Sequence, residues 1–332
     1  MRPYRDRRRT LDQLSRHIAT WVDELAAFEL KSRSHLGPFV ETGPDGARRQ
    51  VALGEGWGDR HGIHRFELDE LVTLPEGPGV ELRFDFGGES LVRLVGIDGT
   101  LLDSFSANPR HHRFDAPRGV AFRIVVEAAA RTLFGIPNRE PRLGMAEVYE
   151  FYPEVRHLRR QLATLKATAD AVDDKELSRS LFEAASIVVS DLRLPTVTSE
   201  IGPRLADRAW ARDIWERSFE PTSEPAPLSG EAIASVVEAS RRFDDLIAEL
   251  RVAYPKQGNV LVSGHAHIDY AWLWPQPETV RKIVRTFSSV NSLMKRYPDF
   301  RFLQSSSIFY AHTEEEDPAL FAEIRRWVED GR

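Results

Sequence analysis

The sequence predicts a multidomain protein of mixed α/β class. Apolar residues recur at helical spacing near the N-terminus and again beyond Pro153, while the region between Leu36 and Glu150 has the alternation of short strands. A strand–helix–strand pattern follows between Asn259 and Leu303, and 332 residues exceed the size of most single cores. We therefore expect four parts: a helix at 1–35, a β-sandwich-like domain at 36–150, a helical region at 151–255 and a βαβ-containing segment at 256–332.

The N-terminal part is predicted to be one amphipathic helix that starts after Thr10. Its apolar residues recur at steps of three and four, which places them on one face. They are Leu11, Leu14, Ile18, Trp21, Val22, Leu25 and Phe28. Acidic residues interrupt the opposite face, which favours packing against the protein over a membrane-surface or targeting helix.

Residues 36–150 are predicted to form an antiparallel β-sandwich. Leu82, Phe84 and Phe86 alternate with polar residues, as in a half-buried strand, and the Asp98–Gly99 pair is typical of a hairpin turn. Several such strands together favour a sandwich. The region also contains candidates for a carbohydrate or metal site, but no regular spacing supports them: Trp57, His61, His64, His111 and His112.

The region 151–255 has helical periodicity and contains no residue pattern with an evident chemical role. Two helices are expected within the first 40 residues, and a third is expected around Trp210, Ile214 and Trp215. The stretch 220–230 is rich in proline and is expected to be a linker or surface loop before a further helix.

The stretch Val260–Pro275 carries the clearest chemical signal. Its first apolar residues predict a buried strand, which leads into His265, His267 and Asp269. In an extended backbone these three side chains share one side, and imidazole with carboxylate suits Zn²⁺ or another divalent cation. A polar strand end whose histidines bond to the backbone is the alternative. Trp272 and Trp274 fit either the core or a pocket wall.

The rest of the C-terminal part completes the strand–helix–strand pattern. An apolar stripe from Val280 to Met294 predicts a helix, Phe300–Leu303 a second strand, and Pro318–Val328 a last helix. Strand, crossover helix and strand make one βαβ unit.

The segments GHAHIDYAWLWP and ETVRKIVRTF resemble the opening of the catalytic domain of glycoside hydrolase family 38, the zinc-dependent retaining α-mannosidases of the cytosolic and bacterial type. The resemblance implies that His267 and Asp269 are two of four zinc ligands and that Trp272 lines the mannose subsite. His265 matches a recurrent motif position that is not a ligand. The sequence departs from the family pattern at Ser305–Thr313.

The resemblance also implies a β/α-barrel-like catalytic domain that is incomplete here, preceded by an accessory β domain. The substrates would be mannose-containing oligosaccharides. The nucleophile, an aspartate, and the last histidine ligand would lie beyond Arg332, so no catalytic residue is expected within the chain. We therefore expect an N-terminal portion of an α-mannosidase that is inactive alone.

Composition limits the remaining functions. With 45 Lys and Arg against 51 Asp and Glu, the chain lacks the basic surface that nucleic acid or an acidic membrane would require. No cysteine is present, so zinc would depend on His and carboxylate alone. No signal peptide or membrane span is recognisable, which favours a cytoplasmic protein; homo-oligomer formation stays open.

Two other functions remain as alternatives. One is a non-catalytic module that binds carbohydrate or pairs with another subunit. The other is a small zinc hydrolase such as a deacetylase, whose missing ligands would have to come from His312 and the acidic run Glu314–Asp317.

Overall fold

The structure is a computed structural model, and it describes residues 9–58, 62–109, 111–132, 135–195, 227–270 and 272–332. The third helix predicted around Trp210 and Trp215 lies outside these residues, as do His61 and most of the proline-rich stretch 220–230. Within the described ranges, no helix is long and apolar enough to cross a membrane.

The helices in the described part of the chain are Leu11–Ala27 (α1), Pro153–Ala171 (α2), Lys175–Ser190 (α3), Gly230–Ala253 (α4), Gln276–Arg296 (α5), Ser307–Glu316 (α6) and Pro318–Glu329 (α7). The strands there are Leu30–His35 (β1), Phe39–Thr42 (β2), Arg48–Val51 (β3), Ile63–Leu68 (β4), Val72–Thr73 (β5), Val80–Asp85 (β6), Glu89–Gly96 (β7), Leu101–Ala107 (β8), Arg113–Phe114 (β9), Ala121–Ala129 (β10) and Met145–Phe151 (β11).

The chain divides into two compact units. The first combines Met1–Arg33 with Glu150–Asn259, and the second combines Ser34–Tyr149 with Val260–Arg332. The N-terminal helix thus shares a unit with the helical region, and the sandwich strands share one with the C-terminal segment. The four-part division at 1–35, 36–150, 151–255 and 256–332 stays a prediction.

The first unit is held together by the apolar faces of α1, α2, α3 and α4. Thr10 caps α1 in a reciprocal pair with Gln13, so the predicted start of the helix has a physical cause. Below the helices, the buried carboxylate of Glu29 accepts from Arg156 Nε at 2.5 Å and from Arg159 Nε at 2.8 Å. These bonds satisfy a charge that would otherwise be costly to bury.

The second unit contains the predicted β-sandwich. In the described residues, one sheet has the order β1-β11-β6-β9, and the other has the order β3-β2-β4-β10-β7-β8 with β5 paired to β10. The pairs β2–β4, β4–β10, β7–β10 and β7–β8 are antiparallel. Aromatic rings meet between the sheets: Phe66 lies 5.1 Å from both Trp57 and Phe86, measured between ring centroids.

The hairpin and alternation predictions are confirmed with one difference. Gly99 has φ +87° in the β7–β8 turn, where Asp98 accepts from the Thr100 amide. Leu82 and Phe84 face the core, but Arg83 on the other face of β6 is buried as well. Its guanidinium lies 3.1 Å from the Tyr149 ring centroid and pairs with Glu81, so this strand is covered on both faces rather than half-buried.

The two predicted strands of the βαβ unit are shorter than the sequence indicates. Val260, Leu261 and Val262 form no strand and are at least 80% exposed, and Phe300–Leu303 contributes only one parallel bridge, between Phe302 and Gly264. A ladder needs consecutive paired residues, and in the described residues these two segments pair with each other at this single position. The helix between them, α5, forms as predicted.

A helix was also missed. Residues Ser307–Glu316 form α6, which buries Phe309 and Thr313, whereas no strong apolar periodicity predicts a helix there. The acidic run ends this helix, and Asp317 then caps α7 by accepting from the Leu320 amide at 3.0 Å.

Helix α5 is anchored to strand β7 through buried charges. Arg285 donates to Glu89 and to Glu278, each at 2.6 Å, and Arg281 Nε donates to Glu278 at 2.9 Å. Glu278 is fully buried and Arg285 nearly so. Burial raises the pKa of Glu278, but Arg285 and Arg281 outweigh it and hold the pKa below its ordinary value. The pKa of Lys282 is also below its ordinary value, because burial disfavours the charged amine even though Lys282 pairs with Glu89.

A second anchor lies further along α5. Ser292 Oγ donates to Asp103 of β8 at 3.0 Å, and Arg296 pairs with the same carboxylate. The Ser106 amide donates to Ser289 Oγ at 2.9 Å. Between the anchors, Leu91 packs with Ile283 and Phe287. The sandwich therefore fixes the helix that follows the HxHxD segment, residues His265–Asp269.

We predict that Gly88→Ala strongly destabilises the second unit. A Cβ on Gly88 would lie 2.2 Å from the carbonyl oxygen of Ala129, so β7 and β10 would have to separate where they pair. The expected loss is about 3 kcal/mol in the free energy of unfolding measured by urea denaturation. Gly56→Ala is the matched control, because its Cβ would meet only Pro141 O, at 3.7 Å. Equal effects of the two substitutions would contradict this account.

We predict that Glu278→Gln destabilises the protein in a pH-dependent way. Its lowered pKa means that the Glu278 carboxylate stabilises the fold above its unfolded pKa, near 4.5, and that this contribution disappears as the pH falls through the folded pKa. At pH 7 the substitution should cost roughly 3 kcal/mol, because Arg285 loses a charged partner in a buried site.

Urea unfolding of both proteins from pH 7 to pH 3 measures this difference. The difference in the free energy of unfolding between wild type and Glu278→Gln should become smaller below about pH 4.5. Glu315→Gln, at an exposed site on α6, should have nearly the same free energy of unfolding as wild type at any pH. A Glu278→Gln gap that stays constant with pH would refute the role given to this carboxylate.

Candidate functional site

The HxHxD segment begins where the two extended segments of the second unit pair. The Gly264 amide donates to Arg301 O at 2.7 Å, and the Leu303 amide donates to Gly264 O at 2.9 Å. A Cβ on Gly264 would lie 2.9 Å from the Phe300 ring and 3.1 Å from Arg301 O. Glycine therefore permits the close backbone approach from which the motif residues extend.

His267 and Asp269 lie together. Nε2 of His267 is 3.1 Å from Oδ1 of Asp269, and their side chains are 78% and 43% exposed. The spacing of two residues predicts this shared side, because alternate side chains of an extended backbone point the same way. The carboxylate can only accept, so Nε2 carries the proton in this contact. An accessible imidazole and carboxylate at this distance can act as neighbouring ligands of one ion.

His265 is engaged elsewhere. Its Nδ1 donates to Leu303 O at 2.8 Å, which ties the start of the motif to the neighbouring extended segment. The next residue is held in the same way, because Gln304 Nε2 donates to Ala266 O at 2.8 Å. For His265, the backbone-bonded histidine that the sequence left as an alternative is what the structure shows.

No complete metal site is formed by the described residues, in which no three or more His, Asp or Glu groups converge. His312 instead stacks on Tyr270 with ring centroids 5.7 Å apart, and its Nε2 lies 2.9 Å from the Tyr270 hydroxyl. Asp317 serves as a helix cap. The ligand set that a deacetylase would need from His312 and Glu314–Asp317 is therefore not assembled in this part of the chain.

The two tryptophans that follow the motif have different environments. Trp272 is 55% exposed and has an accessible ring. Trp274 is partly buried: its Nε1 donates to Thr279 Oγ1 at 2.9 Å, and Lys282 Nζ lies 4.7 Å from the ring centroid. Sequence spacing alone could not distinguish an accessible tryptophan from a packed one, whereas the structure shows that Trp272 is exposed and that Trp274 is packed.

The buried charges on α5 were missed by the sequence analysis. Glu278, Arg281, Lys282 and Arg285 occur at helical spacing beside the apolar stripe, so they share a face of the helix near the core. This helical spacing could have identified the four residues as one group near the core. Their partner Glu89 lies 196 positions away from Arg285, and no local pattern points to it.

The sandwich candidates mostly have structural contacts. Trp57 is buried, and its Nε1 donates to Phe86 O at 2.7 Å; the buried His64 has Nδ1 2.7 Å from Glu41 Oε1. His111 packs edge-on against Phe114, 5.2 Å between ring centroids. A cavity of about 380 Å³ adjoins His64 and Glu41. No exposed aromatic ring that could stack on a sugar is among its described lining residues.

Comparison with known proteins locates similarity in the C-terminal segment. The α-mannosidase of Saccharomyces cerevisiae is 37% identical over 86 residues, which cover 25% of this chain and 8% of the yeast protein. Human α-mannosidase 2C1 is 38% identical over 72 residues, 22% of this chain and 7% of that protein. The chain thus matches less than a tenth of the length of these relatives.

A solved structure of carbohydrate-binding module CBM51-2 with GlcNAc and INT domains, from Clostridium perfringens ZmpB, aligns over 70% of this chain and 49% of its own. It is 11% identical with a TM-score of 0.20, so this alignment supports no argument about fold or function.

The family comparison gives the clearest result. Residues 257–332 match the model described as "Glycosyl hydrolases family 38 N-terminal domain", and the HxHxD segment, α5 and the Gly264–Phe302 bridge all lie within this stretch. The matched stretch and the α-mannosidase relatives agree with each other. The similarity of residues 257–332 is therefore to the N-terminal domain of glycosyl hydrolase family 38, the family that the motif resembles.

Proposed function

We propose that this chain is the N-terminal portion of a zinc-dependent retaining α-mannosidase that hydrolyses terminal α-mannosides of oligosaccharides. The observation that supports it most directly is the pairing of His267 Nε2 with Asp269 Oδ1, 3.1 Å apart and open to solvent. This pair lies in the stretch that matches the family, and the relatives that this chain matches are α-mannosidases.

The donor set of the pair suits zinc. His267 would supply an imidazole nitrogen and Asp269 a carboxylate oxygen. A bound zinc ion would supply Lewis acidity and a contact for sugar hydroxyl groups. To act as a ligand through Nε2, His267 must take the tautomer that carries the proton on Nδ1, so its hydrogen bond to Asp269 would be exchanged for a bond to the metal.

The other motif residues would shape the site. The exposed ring of Trp272 offers an apolar surface for one face of a mannose ring. His265, bonded to Leu303 O, would orient the backbone that carries the two ligands without binding the metal itself.

We further infer that the 332-residue chain alone is inactive. Two ligands hold zinc weakly, and no third His, Asp or Glu joins them among the described residues. The single parallel bridge between Gly264 and Phe302, with α5 as the crossover, is consistent with the start of a β/α-barrel-like domain whose other strands would pair with the exposed run Val260–Val262.

We predict that a chimera carries mannosidase activity that depends on Asp269. The segment of the yeast α-mannosidase that corresponds to residues 257–332 is replaced by these residues, and hydrolysis of an aryl α-mannoside is measured. Asp269→Ala in the chimera should lower kcat/KM by at least about 100-fold, because a ligand of the metal is lost. The 332-residue chain with added zinc should show no hydrolysis.

Asp299→Ala is the control, because Asp299 is exposed and lies in the same stretch. It should leave the chimera active. Full activity in the Asp269→Ala chimera would rule out the ligand role. Mannose binding by the 332-residue chain that Asp269→Ala leaves unchanged would favour the alternative, a non-catalytic carbohydrate-binding module.

A further inference from the structure

We propose that Glu89, at the start of sandwich strand β7, is a positioning residue for the candidate metal ligands. It acts by fixing α5 and, through α5, the Asp269–Pro275 segment. This inference rests on the proposed function, since it assigns the sandwich a role at that site. The sandwich would then be a structural support of the site and not a separate accessory module.

Glu89 balances positive charge on α5. Glu89 Oε2 accepts from Arg285 at 2.6 Å, and Glu89 Oε1 pairs with Lys282. Glu278 is the other carboxylate in the cluster, and it already bonds to Arg281 and Arg285. Without the Glu89 charge, three cations on one face of α5 would share one carboxylate in a mostly buried setting. Their repulsion would act on the first two turns of the helix.

The second step runs from α5 to the motif. Lys282 Nζ lies 4.7 Å from the ring centroid of Trp274, and Trp274 Nε1 donates to Thr279 Oγ1 at 2.9 Å. The hydroxyl of Thr279, a fully buried residue, donates in turn to the carbonyl oxygen of Tyr270. Tyr270 directly follows Asp269, so this bond fixes the carbonyl group of the residue next to the one that would bind the metal.

The sandwich contributes a second contact to the same segment. Gly135 packs against Trp274 so closely that a Cβ there would lie 2.7 Å from the indole ring. Trp274 is therefore held between the 135 backbone, Lys282 and Thr279. A motif-bearing loop fixed from both sides is preorganised, and preorganised ligands bind metal more tightly than mobile ones.

The test compares Glu89→Gln with Glu81→Gln in the full 332-residue chain. Both carboxylates are largely buried and bond to arginine, but Glu81 bonds to Arg83 in its own strand of the sandwich. Hydrogen exchange of the amides of 270–282 and titration with Zn²⁺ are measured. Glu89→Gln should accelerate exchange in 270–282 and raise the zinc dissociation constant, each by roughly tenfold. Glu81→Gln should change neither.

A second pair of variants covers the case in which Glu89→Gln does not fold. Thr279→Val removes the hydroxyl that links Trp274 to Tyr270, while Thr313→Val removes a buried hydroxyl that bonds within its own helix, to Phe309 O at 2.8 Å. Thr279→Val should reproduce both effects of Glu89→Gln. Thr313→Val should reproduce neither.

The outcomes separate this inference from the proposed function. If exchange in 270–282 is the same in Glu89→Gln and Thr279→Val as in wild type, the positioning role is wrong. If Asp269→Ala leaves zinc binding unchanged, the metal assignment fails, while the exchange measurement still decides whether Glu89 holds the segment.

Discussion

The second unit depends on one guanidinium that two carboxylates share. Arg285 is nearly fully buried, and a charge in that position is tolerated only when its partners are fixed around it. Glu278 provides one partner from the same helix, and Glu89 provides the other from β7. Because ionic hydrogen bonds require correct distances, α5 cannot slide along the sheet without losing them. The helix position, and with it the direction of the preceding motif, follows from this constraint.

Where local periodicity decides structure, the sequence was sufficient. The apolar steps from Leu11 to Phe28 and from Val280 to Met294 are each satisfied by one buried helix face. The Asp98–Gly99 turn is also local, because only the residues next to it set the required positive φ. The missed helix α6 has a weak apolar face and is stabilised largely by burying Phe309 and Thr313. Such tertiary support has no signature in spacing.

Where partners lie far apart in the chain, the sequence was insufficient. The run Val260–Val262 has the composition of a buried strand, yet a strand also needs neighbours, and composition does not supply them. In β6 the error ran the other way: alternation predicted a solvated face, but Tyr149 covers Arg83 from a distant segment. In both places the local pattern indicated which structure or burial a segment could have, and contacts with distant segments determined which one it has.

The candidate site shows the same difference between what local spacing predicts and what distant contacts decide. Spacing predicts one shared side for His265, His267 and Asp269, but it cannot say which of them is already bonded. Leu303 O takes the Nδ1–H of His265, while Nε2 of His267 lies beside the Asp269 carboxylate. The different partners of the two histidines therefore depend on the neighbouring segment, whose backbone pairs with the motif between Gly264 and Phe302. Hydrogen bonds from an adjacent segment thus orient side chains whose partners the spacing alone does not specify.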